Sequence, residues 1–205
     1  MTSNSAESEY GNGDSGQSKP RYTLRPVVKP LPSQVAAAKS VVAGPWRLTF
    51  PEGWGMPGMV TLDSLKPWKE IGATPEARAF SGTAVYETEF SVGALDPGAV
   101  VVLDLGRVES LAQVEVNGKK FDDVWSYPYR LDVTCAVKEG SNKLKVSVTD
   151  TWFNRLVYDA GQPEEKRRTW TIAGPSANAA LRDSGLIGPV RILRGRAPGL
   201  LRTSR

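Results

Sequence analysis

Residues 108–170 read VESLAQVEVNGKKFDDVWSYPYRLDVTCAVKEGSNKLKVSVTDTWFNRLVYDAGQPEEKRRTW. The start of this stretch alternates with a period of two. Ala112, Val114 and Val116 fall on one side, and Gln113 and Glu115 on the other. That is the period of a strand with one buried face. Asn117-Gly118 follows at once, and both residues tolerate the positive φ of a tight hairpin turn. The alternation resumes with Tyr129, Leu131 and Val133 against Arg130, Asp132 and Thr134. It resumes again with Leu144, Val146 and Val148 against Lys143, Lys145, Ser147 and Thr149. Glu139-Gly140-Ser141-Asn142 marks the turn between those two strands. The remainder, with Trp152, Asn154, Arg155, Tyr158, Asp159 and Trp170, is irregular and rich in aromatic, amide and guanidinium groups.

Outward from this stretch the same pattern recurs. Trp46, Leu48 and Phe50 alternate with Arg47 and Thr49, and Val60-Thr61-Leu62 forms a short strand. Residues 83–92 make a long strand, with Ala84, Tyr86, Thr88, Phe90 and Val92 alternating with Val85, Glu87, Glu89 and Ser91. Asp96-Pro97-Gly98 turns the chain into a strand built on Val101, Leu103 and Leu105. Its outward Val100 and Val102 imply partial cover on both faces. Residues 65–75 form an irregular crossing and 173–184 a loop, and 188–194 is the last strand, with Val190 and Ile192 inward. Eight or nine short strands with little helix predict an all-β sandwich or barrel. Trp46, Tyr86, Phe90 and Tyr129 are core by pattern, Trp54 is a lid on the sandwich, and Cys135 is a small buried residue.

Residues 1–20 are too polar to bury a core and are expected to be disordered. Residues 20–33 carry Pro20, Pro26, Pro30 and Pro32, an extended linker or a segment lying along a surface, and residues 33–39 suggest a short helical turn. The expected organisation is therefore a tail and linker over 1–40, one β-sandwich over 41–196, and a basic tail over 197–205.

With 205 residues the chain suits one domain with a real core. The net charge of +4 is mild. Residues 15–51 lack acids, and the C-terminal segment adds Arg191, Arg194, Arg196, Arg202 and Arg205, but no nucleic-acid motif accompanies them. No nucleic-acid or membrane partner is expected: no apolar run is long enough to span a bilayer. Neither a basic n-region nor an apolar h-region opens the chain, so no signal peptide is read, and the compartment stays open. One cysteine excludes an intrachain disulfide, and the lack of histidine excludes Ser-His and Cys-His catalysis and His-based metal sites. No Asp/Asn ladder suggests calcium, so no metal or cofactor is expected.

The ordered series Phe80-Ser81-Gly82-Thr83-Ala84, Leu103-Asp104-Leu105-Gly106, Val114-Glu115-Val116-Asn117-Gly118, Tyr129-Arg130-Leu131-Asp132-Val133-Thr134 and Gly140-Ser141-Asn142 resembles the sugar-binding β-sandwich domain of family 2 glycoside hydrolases. Further pieces are Gly44-Pro45-Trp46, Trp54-Gly55, Trp152 with Asn154-Arg155-Leu156, Thr169-Trp170-Thr171 and Ser184-Gly185-Leu186-Ile187-Gly188-Pro189-Val190. These resemble more closely the C-terminal β-sandwich of α-L-rhamnosidases of glycoside hydrolase family 106. The likeness spans roughly residues 44–194. It implies a galactose-binding-like jelly roll, a class of enzyme that is often exported, and catalysis in a separate (β/α)-barrel domain. This chain has no alternation of buried strands and long helices for such a barrel. It is then either a C-terminal remnant of an enzyme or a separately encoded domain.

Glycoside hydrolysis needs two carboxyl groups facing each other across the bond. The candidates are Asp122-Asp123, Asp150, Asp159, Glu164-Glu165 and Asp183. Adjacent acids on a strand point to opposite faces, and Glu164-Glu165 are offset by the bases that follow. No catalytic residue is assigned.

Sugar recognition uses aromatic rings on the apolar sugar face, with amides and guanidinium groups on the hydroxyls. Trp125, Tyr127, Trp152, Asn154, Arg155 and Trp170 have that chemistry, although Trp152 and Trp170 also suit a plug in the end of the sandwich, and Arg155 also suits a pair with Asp159. Four roles follow: the sugar-binding-type domain of a rhamnosidase-like enzyme, acting on a rhamnose-containing glycan beside a catalytic barrel; a free-standing carbohydrate-binding module; a packing module without sugar affinity; and, last in order, a polyanion binder through the basic tails, which predicts steep salt dependence. Solvated Trp125, Trp152 and Trp170 favour sugar, and deep burial favours packing.

Overall fold

The computed structural model describes residues 38–196. The expectations for residues 1–37 and 197–205 lie outside the described residues.

The chain runs β1 (Ala38–Val41), β2 (Trp46–Thr49), β3 (Met59–Leu62), a one-turn helix α1 (Pro75–Arg78), β4 (Thr83–Val92), β5 (Ala99–Asp104), β6 (Arg107–Val108), β7 (Leu111–Val116), β8 (Lys119–Lys120), β9 (Arg130–Asp132), β10 (Gly140–Thr149), α2 (Phe153–Ala160), β11 (Leu186–Gly188) and β12 (Arg191–Arg196). The strands form a four-stranded sheet, β1-β12-β5-β9, and a six-stranded sheet, β3-β2-β4-β10-β7-β8, with a small β11-β6 pair. All recorded pairings are antiparallel. The result is the expected all-β jelly-roll sandwich. Its extra strands are β6, β8 and β11, of two or three residues, and β1, whose four residues are all exposed and so carry no alternation.

The alternating residues meet between the sheets. Val101, Leu103 and Ile192 from one side face Trp46, Leu48, Tyr86, Val114, Leu144, Val146 and Val148 from the other in one buried cluster. Tyr129 is only partly buried against it. Asn117 and Gly118 take φ of 51° and 84°, as the hairpin between β7 and β8 demands.

Several expectations need correction. β9 and β10 belong to different sheets, so residues 133–139 cross the sandwich and do not close a hairpin. β10 already begins at Gly140. Residues 38 and 39 are strand, not helical turn. Cys135 is exposed, because Val133 takes the buried position and the crossing turns outward after it. Asn142 is fully buried; its amide donates to Lys138 and Gly140 carbonyls and accepts from Lys138 N–H and from the Asn117 amide.

The outer face of the six-stranded sheet carries a row of alternating charge. Arg47 lies opposite Glu87, Glu87 opposite Lys145, Lys145 opposite Glu115, and Glu115 opposite Lys120. Directly opposed charges on one sheet face contribute a few tenths to 1 kcal/mol each. Lys145→Glu sets three acids side by side. It is expected to lower stability by about 1–2 kcal/mol at low salt. Urea unfolding at low and high salt checks this, and the loss should shrink as salt is added.

Candidate functional site

β4, β10 and β7 end together where Thr149 pairs with Thr83 and with Leu111. Beyond that edge lie the 50–58 loop, the 121–129 loop and a long excursion over residues 150–185. The 121–129 loop is held by the Ala112–Val124 bridge and by Leu105 N–H donating to Tyr129 O at 2.9 Å.

The excursion opens with α2, a helix the strand-minded sequence reading misses. Phe153, Leu156, Val157 and Ala160 stand at helical spacing, and Gly161 ends the run, so the signal was present. It misleads because the buried side is largely polar: Asn154, Arg155 and Asp159 are buried beside Val157, while Phe153 and Leu156 are only partly covered.

Each of those three fastens chain that returns from elsewhere. Asn154 clamps Arg182 through both halves of its amide, accepting from Arg182 N at 2.8 Å and donating to Arg182 O at 3.0 Å. Arg155 donates to Glu76 Oε1 at 3.1 Å and stands 2.9 Å from Asp159 Oδ1. Its guanidinium lies 5.3 Å from the Trp54 ring centre and 5.0 Å from that of Tyr158. Asp159 Oδ2 accepts from Arg168 N–H (3.0 Å), Thr169 N–H (2.7 Å) and Thr169 Oγ1 (2.7 Å). Further along, Asp183 pairs with Lys69 at 2.7 Å and Arg107 at 2.9 Å.

Burial alone would push the Asp159 carboxyl up. The Thr169 hydrogen bonds, the Arg155 guanidinium 2.9 Å from Oδ1 and the Arg168 N–H outweigh it and hold the group below the ordinary carboxylate range. The hydrogen bond from Lys69 does the same for Asp183 against its burial, helped by the Lys69 and Arg107 charges. Asp150 is pushed up by burial, beyond what Thr151 N–H and the Ser110 hydroxyl offset. Among the described residues no cluster of three or more His, Cys, Asp or Glu side chains is placed to hold a metal ion, and no helix is long and apolar enough to cross a membrane.

The six residues named from sequence therefore divide. Asn154 and Arg155 are buried and engaged by protein, so they are removed as direct ligand contacts; they hold the loop in place. Trp125, Tyr127 and Trp170 are 73 %, 84 % and 77 % exposed. Trp152 is 46 % exposed and packs on Trp54, with ring centres 5.5 Å apart. Trp54, half-buried between the Arg155 and Arg168 guanidinium groups, closes the end as a lid. Trp170 follows directly on the Asp159-anchored pair Arg168-Thr169, and Ile172 beside it is almost fully exposed. Sequence reasoning missed Glu76, Arg168 and Thr169. Glu76 is far from Arg155 in the chain, and the partnership leaves no local trace.

A family model described as "Glycosyl hydrolase 2 galactose-binding domain-like" matches residues 76–184, just over half of the chain. A protein of Formosa agariphila, whose name assigns it provisionally as a beta-glucuronidase, is 35 % identical over 191 residues; the match covers 80 % of this chain and 16 % of that protein. A solved rhamnosidase structure from Novosphingobium sp. PP1Y is 40 % identical, with a TM-score of 0.67, over 77 % of this chain and 15 % of that one. The chain thus spans about a sixth of the length of these relatives. It belongs to the glycosyl hydrolase 2 galactose-binding domain-like family.

Proposed function

We propose that this chain is the non-catalytic, sugar-binding-type domain of an α-L-rhamnosidase-like glycoside hydrolase of family 106, working beside a catalytic barrel and helping to hold a rhamnose-containing glycan. The observation that carries this reading is the solvation of Trp125, Tyr127 and Trp170 on loops at one end of the sandwich. Large rings left in water on a braced loop suit stacking on a sugar face. The likeness to the Novosphingobium rhamnosidase supports the choice of enzyme class. Ile172 favours a second reading, in which the same loop packs on a partner domain: an open isoleucine offers apolar area but no sugar-specific chemistry.

Titration of the chain with L-rhamnose and rhamnose-containing oligosaccharides, followed by tryptophan fluorescence and calorimetry, separates the two. Saturable binding is expected, weakened about threefold to tenfold in each of Trp125→Ala, Tyr127→Ala and Trp170→Ala. These side chains are open, so the variants should fold like the parent. Flat titrations with every glycan and an intact fold would remove the sugar role and leave the packing role.

A further inference from the structure

A cleft of about 580 Å³ opens between α1, α2 and the returning segment 177–181, within the size of small-molecule sites. None of the exposed rings described above lines it. Its floor is apolar, with Val157 and Ala79 buried there. Its wall is made of small residues, Gly161, Ala177 and Ala179, which leave the space open. A Cβ on Gly161 would already stand 3.5 Å from the Ala177 methyl.

The rim carries one cation left over. Thr74 caps α1 by accepting from Ala77 N–H at 3.1 Å, and this single turn delivers Arg78 to the rim. Arg78 Nε donates to Lys69 O at 3.1 Å, which steadies the exposed side chain. Among the described residues no acid pairs with its guanidinium. The nearby Glu76 faces Arg155 at 3.1 Å and Arg168 at 3.8 Å instead. Lys69, the other cation lining the cleft, is taken by Asp183 at 2.7 Å and by the Leu181 carbonyl at 3.1 Å. The C-terminal end of α2 supplies the rest of the rim. Tyr158 and Gln162 bring a hydroxyl and an amide, and the carbonyls that end a helix are ready acceptors.

We propose that this cleft binds an acidic sugar residue, a pyranose carrying a carboxylate. The carboxylate sits on the Arg78 guanidinium, the C–H face of the ring lies over Val157 and Ala79, and the hydroxyls meet Tyr158, Gln162 and the end of α2. A planar guanidinium fork matches a carboxylate in shape and charge. A neutral sugar would leave that charge to water, and an acyl chain would leave the donors and acceptors of α2 without partners. The choice of a sugar among carboxylates rests on the sugar-binding reading above; the anion site itself does not.

The test follows backbone amide shifts of the full chain during titration with D-galacturonate, its neutral twin D-galactose, and acetate. D-Galacturonate is expected to shift the Arg78, Gly161, Gln162 and Ala179 amides saturably, with the other two about tenfold weaker or more. Added salt should weaken that binding. Arg78→Gln, at an exposed position, should cost about tenfold. Ala177→Leu fills the cleft from its exposed wall and should abolish the shifts while the sandwich resonances stay in place. Trp170→Ala should leave them unaltered, so this site and the ring site stand or fall separately. Equal affinity for acetate reduces the cleft to a plain anion site and overturns the proposal. Equal affinity for D-galactose, or no shift at these amides in the folded chain, overturns it as well.

Discussion

Arg155→Ala is expected to destabilise the domain by about 3 kcal/mol, at the lower end of the roughly 3–5 kcal/mol range for breaking one side of a buried ion pair. Both Arg155 and Asp159 are buried, so alanine leaves the carboxylate without its cation. The lower end applies for two reasons. Oδ2 keeps its three donors from Arg168 and Thr169. The Arg155–Oδ1 contact is close but lacks an aligned hydrogen bond. The substitution also removes the guanidinium from between the Trp54 and Tyr158 rings, so Trp54 fluorescence should report it.

The same variant carries a pH signature. In the parent the Asp159 carboxyl is depressed, so its stabilising contribution is complete above the ordinary carboxylate range. It is lost as pH falls through the lowered native value. Without Arg155 the native value rises, and acid unfolding should begin at higher pH than in the parent. Urea midpoints measured from neutral pH downward check this. Parallel curves for parent and variant would mean that the Oδ2 donors alone carry the charge.

Gly185→Ala is expected to cost roughly 3 kcal/mol or more, from left-handed backbone and overpacking together. Gly185 has φ of 93°, and a methyl there would overlap the Trp68 indole nitrogen and come within 2.6 Å of the Tyr86 oxygen. Neither neighbour has room to move. Trp68 and Tyr86 are fully buried, Trp68 Nε1 donates to Tyr86 Oη at 2.6 Å, and Leu186 N–H donates to the same oxygen at 3.1 Å. Burial holds that phenol well above its usual range, so it stays neutral and keeps its hydrogen bonds at all ordinary pH. Gly118→Ala is the control, because its added methyl meets nothing and only the backbone term of about 1 kcal/mol remains. Thermal unfolding of the two variants side by side should separate them by several degrees. Equal losses would mean that the Trp68–Tyr86 corner yields.

Long central strands were legible because alternation runs through them unbroken. β4, β7 and β10 match their hydrophobic pattern, and Asn117-Gly118 marks its turn. Which sheet a strand joins was not legible. β9 and β10 are consecutive and carry the same pattern, yet they fall in opposite layers, because pairing is decided by partners far along the chain. At the candidate site the exposed rings were readable as chemistry. The inward turn of Asn154 and Arg155 was not, since it depends on Arg182, Glu76 and Asp159 completing their hydrogen bonds. Burying a polar helix face is favourable only with those partners in place.

Cys135 gives the molecule a usable polarity. It is the single thiol in the chain, exposed, and 2.9 Å from Lys119 Nζ. Lys119 pairs with Val116, at the far end of β7 from Leu111, where the aromatic loops stand. Coupling through this sulfur would fix every molecule to a sensor surface in one orientation, with Trp125, Tyr127 and Trp170 facing the flow. A dye attached there would sit a whole strand length away from them.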